Sequence, residues 1–148
     1  MSDVYVFDTE AIIAFLYDER GHDRVGDLLN EVEAGDAEGL LSETNASEVY
    51  YLVARYKGTP DEKPTPASLR AADRDIRTLT RRGIAVERAN WRLAGEVKAD
   101  GNISLADAYA VALAHGRSAT LIAGRDDDFD ALPVGVDVER FRDHGGRT

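Results

Sequence analysis

The chain has 148 residues, 43% of them hydrophobic, which suits a single folded domain with a substantial core and excludes a disordered chain. Cysteine is absent, so disulfides, thiolate metal sites and cysteine nucleophiles are excluded as well. The formal net charge of −10 is spread along the sequence, which argues mildly against nonspecific nucleic-acid binding. Val4 to Asp8 is a short apolar run with β-branched and aromatic residues and predicts a buried strand. Thr9 or Asp8 can cap the helix that carries Ala11, Ile12, Ile13, Phe15 and Leu16. Val25, Leu28, Leu29 and Val32 fall at helical spacing and predict a second helix over about His22 to Ala34. A short strand, Gly39 to Ser42, precedes a helix from about Asn45 to Lys57. Gly58 to Pro66 holds three of the four prolines and is a loop. A helix over Ala67 to Arg82 ends at Gly83, followed by a strand, Ile84 to Arg88, and a helix, Trp91 to Ala99. The next helix, Leu105 to His115, is stopped by Gly116 and leads into the strand Ala119 to Ala123. A turn around Phe129 and a last strand, Val136 to Glu139, complete a domain over residues 1–142, with Asp143 to Thr148 as a frayed tail.

Strands alternating with helical pairs predict an α/β fold with a mainly parallel sheet. In such sheets ligands gather outside the carboxyl ends of the strands. Four acids stand at the ends of apolar segments, where a lone carboxylate is costly. Asp8 ends Val4-Tyr5-Val6-Phe7, and Glu48 opens Val49-Tyr50-Tyr51-Leu52-Val53. Asp107 lies within the apolar stretch Leu105 to Ala114, and Asp126 follows Thr120-Leu121-Ile122-Ala123. Topology alone brings Asp8, Glu48 and Asp126 to one sheet edge; Asp107 follows a helix and is not placed by that rule. Clustered carboxylates repel and lose hydration, so a site holding all four needs a cation. All-oxygen ligands point to a hard divalent ion such as Mg²⁺ or Mn²⁺.

Each acid also has a plain structural use. Ser104-Leu105-Ala106-Asp107 and Asn45-Ala46-Ser47-Glu48 fit capping-box variants, each worth about 1 kcal/mol. Asp8 and Asp126 suit turn or cap positions. Capping does not prevent metal binding, because the helix dipole favours the ionised carboxylate. His22, His115 and His144 lack ligand-like spacing, and His115 at a helix C-terminus is explained by the dipole. Neither a P-loop nor a Gly-x-Gly-x-x-Gly sequence is present. Arg70, Arg74, Arg77 and Arg81 form one helical stripe, read as a solvated face with Asp73 paired to Arg77.

Lys57, Lys63 and Lys98 are the only lysines among 18 basic residues. Together with the acidic balance this suggests adaptation to high salt. Unfolding on dilution from molar salt is the expected behaviour; full stability in dilute buffer would count against it. No apolar run approaches the roughly 20 residues of a membrane span. No basic segment precedes the first apolar stretch either, so a cytoplasmic protein without a signal peptide is expected.

Taken in order, Val6-Phe7-Asp8-Thr9-Glu10-Ala11-Ile12, Asn45-Ala46-Ser47-Glu48-Val49, Ser104-Leu105-Ala106-Asp107-Ala108 and Arg125-Asp126-Asp127-Asp128-Phe129 resemble the PIN domain family, in particular its VapC-type toxin ribonucleases. The likeness runs from Val4 to about Phe141 and includes Leu132-Pro133 before the last strand. It implies a three-layer α/β/α domain with a mainly parallel central sheet of about five strands. It also implies an Mg²⁺- or Mn²⁺-dependent endoribonuclease leaving 5′-phosphate and 3′-hydroxyl ends, a cognate protein antitoxin and a homodimer. By this resemblance Asp8, Glu48, Asp107 and Asp126 are the catalytic and metal-binding acids, and Asp128 is an auxiliary one. Thr9 falls where the family often has a small hydroxyl residue. Gly124 is a departure, since that position is commonly Ser or Thr, and a polar contact to water or phosphate is lost there.

Other readings use fewer of these residues. A haloacid-dehalogenase-type phosphatase wants a second Asp two residues after Asp8, where Glu10 stands, and a lysine following a later strand, where none falls. A Toprim-type enzyme would use Asp126 and Asp128 but leave Asp8 and Asp107 without duty. A catalytically weak PIN-fold scaffold, binding an antitoxin or RNA machinery, is the alternative from a different class.

Overall fold

The computed structural model describes residues 3–58, 63–124 and 129–142. In chain order the elements are β1 (Asp3–Phe7), α1 (Thr9–Leu16), α2 (His22–Glu33), β2 (Ala37–Ser42), α3 (Glu43–Tyr56) and α4 (Pro66–Arg81). They continue with β3 (Ile84–Glu87), α5 (Trp91–Asp100), α6 (Leu105–Arg117), β4 (Thr120–Ala123) and β5 (Asp137–Arg140). The strands form one sheet in the order β3-β2-β1-β4-β5, and every neighbouring pair is parallel.

Successive residues of a strand face opposite sides of the sheet, and here both sides are apolar. On one side Tyr5, Phe7, Leu41 and Ile122 pack with the buried residues of α1, α2, α3 and α4. On the other, Val6, Leu40, Leu121 and Ala123 pack with those of α5 and α6. The result is the expected three-layer α/β/α arrangement with a five-stranded parallel sheet. Because β1 is central, the chain moves to one side for β2 and β3 and to the other for β4 and β5. That reversal leaves a crevice beyond the carboxyl ends of β1 and β4, where open α/β sheets bind ligands.

Two helix boundaries differ from the sequence expectation by two residues, each for a local reason. The third helix begins at Glu43, not Asn45, because the Ser42 hydroxyl oxygen accepts from the Asn45 backbone N–H at 3.0 Å. Asn45 is therefore inside the helix, and Glu48 lies beyond the capping position. The sixth helix is not stopped by Gly116. It runs to Arg117 and ends at Ser118, which adopts a left-handed conformation with φ 52° and donates its N–H back to the last turn. His115 sits in that last turn, with Nδ1 2.9 Å from the Gly135 carbonyl oxygen.

The α4 stripe is solvated as expected: Arg70, Arg74, Arg77 and Arg81 are exposed, and Arg77 pairs with Asp73 at 2.8 Å. Among the described residues no helix is long and apolar enough to cross a membrane. The expected tail, 143–148, lies outside the described residues.

Candidate active site

Asp8 leaves β1 at its carboxyl end and caps α1. Its Oδ1 accepts from the Ala11 backbone N–H at 2.7 Å and its Oδ2 from the Gly124 N–H at 3.3 Å. The cap choice left open between Asp8 and Thr9 thus falls to Asp8. Only 1% of Asp8 is exposed. Burial pushes its carboxyl well above the usual carboxylate range, and the negative charges of Asp107 and Glu10 push the same way; the Ala11 and Gly124 N–H groups oppose them. Asp107, which the sheet topology did not place, therefore lies within electrostatic reach of Asp8.

Asp107 occupies the first turn of α6, where its backbone N–H donates to the Ser104 hydroxyl oxygen at 3.1 Å. The Ser104 half of the expected cap is thus present. Asp107 and Glu48 line a single pocket together with Thr9, Glu10, Glu19 and Arg142. Glu48 is half-buried on α3 and also borders an adjoining hollow with Glu43, Ser47 and Tyr51. Asp126 and Asp128 lie outside the described residues. Among the described residues no group of three acids or histidines is close enough to hold an ion. The structure thus brings Asp8, Asp107 and Glu48 to one region without closing them into a ligand set.

A buried polar chain ties the helices that carry these acids. The Ser42 hydroxyl donates to the Asn45 side-chain oxygen, and Asn45 Nδ2 donates to Thr9 Oγ1 at 3.0 Å. Ser42 and Asn45 are fully buried and Thr9 nearly so. The start of α3 is thereby registered against the start of α1, one residue from Asp8. Sequence reasoning read Asn45 as a cap and missed this role, because the partner lies 36 positions away.

Three charged pocket residues were not assigned to the site from the sequence: Glu10, Glu19 and Arg142. Arg142 donates to Glu10 Oε2 at 2.6 Å and to Glu19 Oε1 at 3.0 Å. Its Nε donates to the Arg20 carbonyl at 3.0 Å. The available signal was Glu10 itself, an acid two residues after Asp8.

The donor chemistry suits a hard divalent cation. A carboxylate buried beside two like charges is disfavoured in its ionised form, and a cation with oxygen preference offsets all three contributions.

The sequence from residue 5 to 135 matches the family model described as the PIN domain. This chain belongs to the PIN domain family. PIN domains are generally nucleases that use divalent metals. No protein of curated function matches the sequence significantly. Among solved structures, VapBC2 of Rickettsia felis bound to a promoter DNA fragment is similar, with TM-score 0.65 and 16% identity. That match covers 93% of this chain and 98% of the other. DNA-bound VapBC of Salmonella typhimurium gives TM-score 0.65 and 12% identity over 95% of this chain and 99% of that one. The Mycobacterium tuberculosis toxin VapC20, which cleaves the sarcin–ricin loop, gives TM-score 0.57 and 20% identity over 85% of this chain and 92% of the other. At these identities the likeness to them is one of fold.

Proposed function

We propose that this PIN domain is an Mg²⁺- or Mn²⁺-dependent endoribonuclease of the VapC type, the toxin of a toxin–antitoxin pair. The observation that carries the reading is the buried Asp8 carboxylate at the end of the central strand. It lies within the field of Asp107 and beside the pocket that Asp107 and Glu48 line. Burial and the neighbouring charges disfavour its ionised form, and a bound cation would offset both. RNA as substrate is supported by the similar fold of a toxin that cleaves the sarcin–ricin loop. A protein antitoxin is supported by the similar fold of VapBC assemblies bound to DNA.

In this proposal Asp8 and Asp107 would hold the ion directly, Glu48 would bind it or orient the attacking water, and Asp126 would complete the set with Asp128 as auxiliary. When bound, the ion supplies an activated water and offsets charge on the phosphate and the leaving oxygen. The protein's own work is positioning. Two backbone N–H groups fix the Asp8 carboxylate, and the Ser42–Asn45–Thr9 chain fixes α3, and hence Glu48, against it. No side chain has to act as nucleophile. The ion also lets an acidic pocket approach a polyanion.

A panel of labelled RNAs incubated with Mn²⁺, and in parallel with a chelator, tests this. Cleavage in Mn²⁺ and none in chelator is the expected result. Cleavage undiminished by the chelator sinks the metal assignment, and intact RNA across the panel favours the scaffold alternative. Turnover of small phosphate esters in place of RNA would favour a phosphatase-like hydrolase.

A further inference from the structure

Gly124, Glu10 and Arg142 meet on one wall of the pocket. The backbone of Gly124 is not in the left-handed region, so its conformation does not call for glycine. Space does. A Cβ added at Gly124 would collide with the Glu10 carboxyl group, meeting its carbon and both of its oxygens. The volume that a side chain at 124 would occupy is therefore filled by a carboxylate. The same Gly124 gives its N–H to Asp8 Oδ2 at 3.3 Å, so one residue touches both acids. From the other side Arg142 grips Glu10 at 2.6 Å, and Arg142 is itself anchored by Glu19 and by the Arg20 carbonyl. Its side chain is 16% exposed.

A glutamate needed only to pair with Arg142 could do so in open solvent, away from other acids. Here it lines the same pocket as Glu48 and Asp107, with its carboxyl group packed over Gly124, the residue whose N–H holds Asp8. We propose that Glu10 is an additional carboxylate of the cation-binding pocket, admitted by Gly124 and positioned by Arg142. The assignment rests on the reading of the pocket as a metal-dependent nuclease centre. It also turns the Gly124 departure into an exchange: the hydroxyl common at that position in the family is given up, and a charged group takes its place.

Mn²⁺ binding to the full chain, followed by titration calorimetry, tests the assignment without reference to activity. Glu10→Gln is expected to weaken Mn²⁺ binding about tenfold, the scale seen when a supporting partner of a metal site is lost. Gly124→Ser displaces the Glu10 carboxylate and is expected to weaken binding by a similar factor. The double variant should then bind about as well as either single one, since both changes act on one group. Melting of the metal-free protein supplies a second readout. If Glu10→Gln lowers the melting temperature but leaves Mn²⁺ affinity at the wild-type level, Glu10 is only the partner of Arg142 and the assignment is overturned. In that case Asp8→Asn should still abolish Mn²⁺ binding, and the nuclease centre stands. If neither Glu10→Gln nor Asp8→Asn changes Mn²⁺ affinity, the assignment and the centre fall together.

Discussion

Asp8→Asn is expected to cut RNA cleavage by a hundredfold or more while leaving the protein folded. The magnitude follows from the loss of roughly 3 kcal/mol of charge stabilisation at about 1.4 kcal/mol per tenfold in rate. The fold survives because asparagine is as good a helix cap as aspartate, and its oxygen can still accept from the Ala11 N–H. A small cost, on the order of 1 kcal/mol, arises where the new NH₂ group meets the Gly124 N–H, donor against donor. A gel assay with Mn²⁺, paired with a melting curve, checks both halves. Wild-type cleavage by the variant would remove Asp8 from the catalytic set, and an unfolded variant would show that its charge serves the fold.

The metal-free protein should become less stable as pH rises from the acid side to neutrality, and Asp8→Asn should flatten that dependence. Asp8 is an acid whose folded pKa is raised, by burial first and by Asp107 and Glu10 besides. The folded state therefore holds the proton at pH values where the unfolded chain has released it. Stability is fully present below the ordinary carboxylate pKa and is lost as pH rises through the raised one. One proton sets an upper slope of about 1.4 kcal/mol per pH unit. Saturating Mn²⁺ should reverse the trend, because the ion binds the deprotonated carboxylate and stabilises the folded state at neutral pH. Thermal unfolding of both proteins across this range, with and without Mn²⁺, is the measurement. A wild-type profile that coincides with that of Asp8→Asn would mean that Asp8 carries no such strain.

The central strands β1 and β4 were legible because Val4 to Phe7 and Leu121 to Ala123 are short, continuous apolar runs, as a sheet buried on both faces requires. Their parallel pairing followed from the helices between them. Asp8 could be found for the same reason: it is the first charge after the run Val4-Tyr5-Val6-Phe7, at the carboxyl end of a buried strand. The helix ends were less legible. Gly116 looks like a terminator, yet the helix passes through it, and the stop is made by the left-handed backbone of Ser118. The cap at Asn45 was misplaced by three residues because Ser42 offers the same chemistry one turn earlier. Glu10 and Arg142 lay beyond local pattern. Their partnership spans 132 positions and depends on how the last strand returns past the first helix.

Parallel strands give the sheet two unlike edges, and the chain meets them at opposite ends. Asp3 begins β1 on the edge remote from the pocket, whereas Arg142, a pocket residue, follows β5 on the near edge. At about 3.3 Å per residue, the five-residue first strand separates the two edges by roughly 16 Å. The described chain thus leaves the fold beside the pocket, at Arg142, and enters it at the other end of the sheet, at Asp3. A handle for surface immobilisation therefore belongs on the Asp3 side of the fold, where it leaves the pocket clear.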